Sequence, residues 1–217
     1  LRQDAERPSA AGPMDPEQQL REACQACVRC PLAAGRHGAV VSRGPSGARL
    51  MLIGEAPGAE EDASGRPFVG RSGRLLDQLL AGAGISSERE AYICNAIKCR
   101  PPGNRKPAAA ELAACRPWLD RQLEQVNPAL VVLAGATAVE ALLGVRGGLS
   151  RMRGQWQSWQ GRWLMPVFHP SYLLRFSSME PGSPRWHTAA DFLEVRRRLD
   201  RLDGPTSGQE QPLPPRL

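Results

Sequence analysis

The sequence predicts a three-layer α/β/α domain built on a four-stranded, mainly parallel sheet. Three observations predict it. Four short runs rich in Val, Ile or Leu are each bounded by Gly, Pro or Asn, as strands are. Helical periodicities lie between these runs, and strand–helix–strand alternation favours a parallel sheet covered on both faces. Val131, Val132 and Leu133 are apolar in succession rather than alternately, as expected of a strand buried on both sides.

Taken in order, residues 1–14 are polar and small, with no apolar period, and are expected to form a disordered leader. Pro16–Val28 reads as a first helix. Arg49–Ile53 is the first strand. Ser72–Ala83 is helical, with Leu75, Leu76, Leu79 and Leu80 on one face and Gly84 as its stop. Ala91–Ile97 is the second strand. Pro107–Val126 is a long helix with Pro at its first position and Leu112, Leu119 and Leu123 turned inward. Ala129–Ala134 is the third strand, and Thr137–Leu143 a short helix ended by Gly144. Met152–Trp163 alternates and fits a hairpin around Gln160-Gly161. Trp163–Phe168 is the fourth strand, and Pro184–Leu202 the last helix. From about Asp203 the chain is rich in Gly, Pro and Gln and reads as a floppy tail. A single domain over 15–202 is therefore expected.

Composition narrows the class. Of 217 residues, 41% are apolar and 23% charged, which fits a globular protein rather than a disordered one. No apolar run reaches the length of a membrane span, and no secretory pattern opens the chain, so a cytoplasmic protein is expected. The net charge of +6 suggests an anionic partner, nucleic acid first. Residues 1–90 hold 11 basic and 12 acidic side chains, and residues 91–217 hold 17 and 10, so the whole excess lies in the second part. All but Lys98 and Lys106 of the 28 basic residues are Arg, whose planar fork suits phosphate.

Six cysteines are too few for a disulfide scaffold in a chain this long. Cys24, Cys27 and Cys30 are spaced C-x2-C-x2-C, and Cys99 and Cys115 lie far downstream. Two spaced pairs of thiolates suit a [4Fe–4S] cluster or a zinc ion. Spacing alone does not choose between the two, nor which of Cys24, Cys27 and Cys30 bind. Cys94, inside a strand, reads as core.

In parallel sheets ligands gather beyond the carboxyl ends of the strands. The segments there are Gly54–Asp62, Lys98–Lys106, Gly135–Thr137 and His169–Arg175. Gly54-Glu55-Ala56-Pro57-Gly58 follows the first strand directly, and its glycines permit close approach of a ligand. No Gly-Lys-Ser/Thr follows, so it is not a P-loop. His169-Pro170-Ser171-Tyr172-Leu173-Leu174-Arg175 follows the last strand.

Together these segments resemble the family-four uracil-DNA glycosylases, the iron–sulfur branch of that superfamily. The resemblance covers about residues 24–202. It rests on Gly54–Gly58 with Glu60–Asp62, on Gly65–Gly70, on Asn95 with Lys98-Cys99-Arg100-Pro101-Pro102, on Asn104-Arg105 and on His169–Arg175. It implies a four-stranded parallel sheet flanked by helices, excision of uracil from DNA in base excision repair, and a [4Fe–4S] cluster on Cys27, Cys30, Cys99 and Cys115, with zinc the lesser alternative. Cys24 and Cys94 fall outside that pattern.

The resemblance also implies roles. The target nucleotide must leave the duplex. Phe68 is expected as the aromatic plate under the flipped base. Asn95 is expected to read the O4 and N3–H edge of uracil, because its amide offers both a donor and an acceptor. Glu61 is expected to crowd the methyl of thymine. His169 is expected to stabilise charge developing at uracil O2. Ala56 stands where a better-known branch carries an Asp, so no strong general base is expected; Glu55 is left to position water or to hold the base, and backbone N–H groups at Glu55–Ala56 to assist.

DNA contacts are expected from Lys98, Arg100, Asn104 and Arg105 after the second strand. Ser171, Tyr172, Leu173 and Arg175 are expected to add contacts after the last, with Leu173 as an apolar wedge and Tyr172 and Leu174 as its rivals. The expected enzyme is a nucleoid-associated monomer. The competing readings are a uracil-DNA-binding or crosslinking module of the same fold without turnover, and a metal-stabilised DNA-binding protein. The crosslinking branch is expected to carry a His after the second strand, and Lys98–Pro107 has none.

Overall fold

A computed structural model describes residues 15–203. The expected leader over 1–14 and the expected tail beyond Asp203 lie outside the described residues.

Five strands form one sheet: β1 (Leu50–Gly54), β2 (Ala91–Asn95), β3 (Leu130–Ala134), β4 (Gln157–Trp159) and β5 (Arg162–Val167). Their order is β2-β1-β3-β5-β4. The first four in space run parallel, with Leu50 opposite both Ala91 and Leu130, and Leu130 opposite Trp163. These are the four expected strands. The fifth, β4, is the outer arm of the expected hairpin and pairs antiparallel with β5 through the turn at Gln160-Gly161. It escaped the count because its three residues are only half-buried and carry no apolar run.

Among the described residues, eight α-helices surround the sheet: α1 (Pro16–Gln25), α2 (Ala59–Ser64), α3 (Arg71–Gly82), α4 (Ala109–Val126), α5 (Ala136–Leu143), α6 (Leu149–Met152), α7 (Pro170–Leu173) and α8 (Pro184–Asp203). None of them is long and apolar enough to cross a membrane. The strands' side chains alternate between two cores, as the pleat requires. Leu50, Leu52, Ile93, Val132 and Met165 pack with Leu76 and Leu80 of α3 and Phe192 and Val195 of α8. Met51, Ile53, Tyr92, Val131 and Leu133 pack on the other face with Leu119 and Leu123 of α4 and Val139 and Leu142 of α5. At about 25 cal/mol per Å², each such buried Leu or Ile contributes about 2 kcal/mol against the entropy of ordering the chain.

Two helix boundaries differ from expectation by more than one residue. α1 stops at Gln25, three residues short of Val28: the N–H of Cys27 turns back to the Cys24 carbonyl at 3.2 Å, and the Arg36 guanidinium takes the Gln25 carbonyl that the next turn would have used. α4 starts at Ala109 and not at Pro107. Glu111 accepts the backbone N–H of Ala108 at 2.8 Å and caps the helix there.

Candidate active site

The carboxyl ends of β1, β2 and β5 converge on a pocket of about 230 Å³, smaller than the roughly 300 Å³ at which drug-sized sites begin. Its lining includes Glu55, Ala56, Glu61, Phe68, Asn95, Asn104, Arg105, His169 and Ser171. The loops are zipped together at their base: Ala96 and Ile97 donate to the carbonyls of Gly54 and Glu55.

Asn95, the last residue of β2, is 2% exposed and faces Phe68 across Gly54. A Cβ on Gly54 would lie 2.4 Å from Phe68 Cζ and 2.5 Å from Asn95 Oδ1, so only glycine lets ring and amide meet there. Phe68 is buried and sits at φ 56°, a left-handed conformation that costs a bulky residue about 1–3 kcal/mol. Close packing holds it there: a Cβ on Gly73 would lie 1.9 Å from the Phe68 carbonyl oxygen.

Glu61 supplies the other restraint on that loop. Its Oε1 accepts from the backbone N–H groups of Val69 (3.0 Å) and Gly70 (2.9 Å), and its Oε2 from that of Gly58 (3.1 Å). Both oxygens are spent on clamping the Gly58 turn to the Phe68 loop, while the side chain borders the pocket.

His169 caps α7. Its Nδ1 accepts the backbone N–H of Ser171 at 3.1 Å and lies 2.7 Å from the Ser171 hydroxyl. An Nδ1 that accepts an N–H assigns the ring proton to Nε2 in the neutral imidazole. Burial holds the His169 pKa below its usual value, and the nearby Glu55 charge opposes that shift only in part. The ring stands 5.9 Å from that of Phe68, tilted by 34°. Glu55 in turn accepts a short hydrogen bond from Thr137 Oγ1 at the start of α5.

Several expected DNA contacts lie elsewhere. Lys98 is 1% exposed and its Nζ donates to the Asn95 carbonyl at 2.6 Å, so it is not a phosphate contact. Leu173 is fully buried in the core and cannot wedge into DNA. A helical turn at 170–173 points it inward and leaves Tyr172 exposed, its ring tilted against those of Phe168 (5.2 Å) and Phe176 (4.9 Å). Arg105 forms a two-pronged pair with Glu111, at 2.6 and 2.8 Å, while it borders the pocket. Arg100 donates to Asn104 at 2.8 Å, and Arg175 is exposed.

A second cavity is lined by Cys24, Cys27, Cys30, Cys99 and Cys115, together with Arg36, Lys98 and Trp118. Three of these sulfurs receive N–H donors: Cys27 from Trp118 Nε1 (3.3 Å), Cys99 from Arg36 (2.9 Å) and Cys115 from the backbone of Lys98. Cys24 packs against Leu20, Ala39 and Val41, and burial pushes its thiol up to about 12. Cys94 is buried in the β2 core, as expected. Among the described residues, no three His, Cys, Asp or Glu side chains gather closely enough to hold a single metal ion.

Sequence reasoning assigned no part to Thr137, Arg36 or Trp118. Only Thr137 carried a signal, its place beyond the carboxyl end of β3.

The family model of the uracil DNA glycosylase superfamily matches residues 41–198. The chain is 46% identical over 163 residues to a type-4 uracil-DNA glycosylase of Thermotoga maritima, across 74% of this chain and 84% of that one. It is 34% identical over 169 residues to a type-4 uracil-DNA glycosylase of Sulfurisphaera tokodaii, across 74% and 77% of the two chains. A type-5 uracil-DNA glycosylase of Thermus thermophilus is 35% identical over 176 residues, across 72% and 77%.

Proposed function

The chain belongs to the uracil-DNA glycosylase superfamily, in its type-4 branch, and from that premise we propose how its pocket excises uracil from DNA. The flipped base lies on Phe68. Asn95 accepts from N3–H and donates to O4. Cytosine reverses both partners and leaves the buried amide unsatisfied, which costs about 1–3 kcal/mol per group. Thymine is turned away by crowding at the Glu61 wall.

The bond from C1′ to uracil N1 breaks with its electron pair going to the base. Charge develops at O2, where the Nε2–H of neutral His169 donates. A water molecule adds to the sugar at C1′, oriented by Glu55, and its proton passes through solvent to the uracil anion, so that uracil and the abasic sugar leave neutral; the backbone N–H groups at Glu55–Ala56 face the leaving base. Leaving-group stabilisation dominates, since Ala56 supplies no base. The observation that carries this reading is the occupied Nδ1 of His169, which leaves Nε2 as the ring's donor beside Asn95 and Phe68.

Arg100, Asn104, Arg105, Ser171 and Arg175 are the phosphate contacts of this reading, and Tyr172 replaces Leu173 as the group that fills the vacated stack. Cys27, Cys30, Cys99 and Cys115 would hold a [4Fe–4S] cluster, whose contribution is to cross-link the segment after α1 to the β2 loop and α4. The N–H donors on three of those sulfurs suit thiolate ligands. A brown protein absorbing near ~400 nm is expected, and a colourless, zinc-loaded one prepared without air would overturn this assignment. The reading without turnover is not favoured, since the loop from Lys98 to Pro107 carries no His.

The deciding experiment compares wild type with His169→Ala on uracil-containing and matched thymine-containing oligonucleotides, scoring abasic sites. Loss of one such donor is expected to lower kcat by about 10²–10³. An unimpaired variant would remove His169 from the mechanism.

A further inference from the structure

Lys98 stands between the two cavities. It is 1% exposed and borders the cysteine cavity, yet its ammonium donates to the backbone carbonyl of Asn95 at 2.6 Å. Its own backbone N–H reaches Cys115. The neighbours that feel its charge are sulfurs, those of Cys24, Cys94 and Cys115. No carboxylate pairs with it among the described residues. A buried ammonium with a single hydrogen bond is costly unless an opposite charge lies near. Four thiolates around iron and sulfide supply that charge. The same ammonium holds the carbonyl of Asn95, the residue that closes β2 and is proposed to read the base.

We propose that Lys98 is a positioning residue with two functions: it is the buried counter-charge of the cysteine site, and it fixes Asn95 for uracil. The inference rests on the reading of the two cavities given above. It explains why a lysine in a loop rich in Arg and Pro turns inward. It also gives the metal site a route to base recognition that needs no redox change, because the charge that answers the thiolates and the hydrogen bond to Asn95 are carried by one ammonium.

Three variants separate the two functions. Lys98→Met removes charge and donor, Lys98→Gln keeps a donor for the Asn95 carbonyl without the charge, and Lys98→Arg keeps the charge. Two quantities are read on each holoprotein: the rate at which a chelator strips iron, and inhibition by free uracil. Lys98→Met is expected to release iron faster and to bind uracil about tenfold or more weakly, the scale of losing a hydrogen bond from a charged group. Lys98→Gln is expected to release iron as fast as Lys98→Met while binding uracil within about threefold of wild type, and Lys98→Arg to retain iron as wild type does. A role in folding alone would move both readouts together in all three. Wild-type iron retention and uracil inhibition in Lys98→Met would overturn the proposal. So would equal uracil binding by the Met and Gln variants. Should Lys98→Met not fold, iron release from Lys98→Gln no faster than from wild type overturns it alone. A wild-type protein that excises no uracil would instead sink the functional reading, so the two failures are distinguishable.

Discussion

The hydroxyl of Thr137 donates to Glu55 Oε2, and this bond holds the carboxylate at the pocket wall beside His169. Thr137→Val keeps the shape and removes the donor. It is expected to lower kcat about tenfold with KM unchanged, and Thr137→Ser to restore it; steady-state kinetics on a uracil oligonucleotide checks both. His169 carries a second expectation. Its folded pKa is depressed by burial, so the neutral ring persists below the ordinary value of about 6.5. The catalytic profile should stay flat from pH 8 to about 6.5 and fall only on the acid side of that. Glu55 opposes the depression, so Glu55→Gln should move the acid limb of kcat/KM to lower pH. The linked stability has the same sign. It is fully present above the unfolded pKa and is lost as pH falls from there through the folded one. Sequence made His169 legible, since a histidine beside a proline at a strand end invites attention. It did not make Thr137 or the burial of Lys98 legible. A hydroxyl and an ammonium look alike on a surface and in a core until their neighbours are known.

At the scale of elements, the pocket depends on how loops seat against one another. Gly54 ends β1 where the Phe68 ring and the Asn95 amide meet. Gly54→Ala would force one of them aside. A displacement of about 1 Å at such a site costs about 10², so kcat/KM should fall at least that far while circular dichroism stays native. Gly135 has the same function under His169: its φ is 95°, and a Cβ there would sit 2.9 Å from the histidine Cβ. The four main strands were readable because burial on both faces writes an uninterrupted apolar run into each of them. β4 was readable only as the arm of a hairpin, and the short helices α2, α6 and α7 were not. Elements of three to six residues bury too little to leave a periodic signal.

For the whole molecule, the basic excess in the second part of the chain overstates the charge offered to DNA. Arg105, Lys106, Arg146 and Arg153 are each paired with a carboxylate, on Glu111, Glu140, Glu140 and Asp191. Lys98 is buried. Arg100, Arg151 and Arg175 make no ion pair among the described residues. Counted as neutralising one phosphate each, these three cations give a log–log slope of affinity against salt between about −2 and −3, and Arg105, which brings its own counter-charge in Glu111, adds none. Arg175→Ala should reduce that slope by about 1, as measured by titration of a uracil oligonucleotide at several salt concentrations. A slope near −6 would mean that the paired arginines open toward DNA.

What the sequence determined by itself was the sheet, the family and the inventory of the site. Runs of buried residues, glycines at strand ends and the C-x2-C-x2-C spacing are local patterns, and local patterns survive in one dimension. Tertiary structure alone decided which of those residues face a ligand. Leu173 and Lys98 turned inward, Tyr172 outward, and Glu61 onto backbone amides. Orientation follows from which core lies beneath a loop and which charges lie across it. Both are contributed by residues distant in the chain.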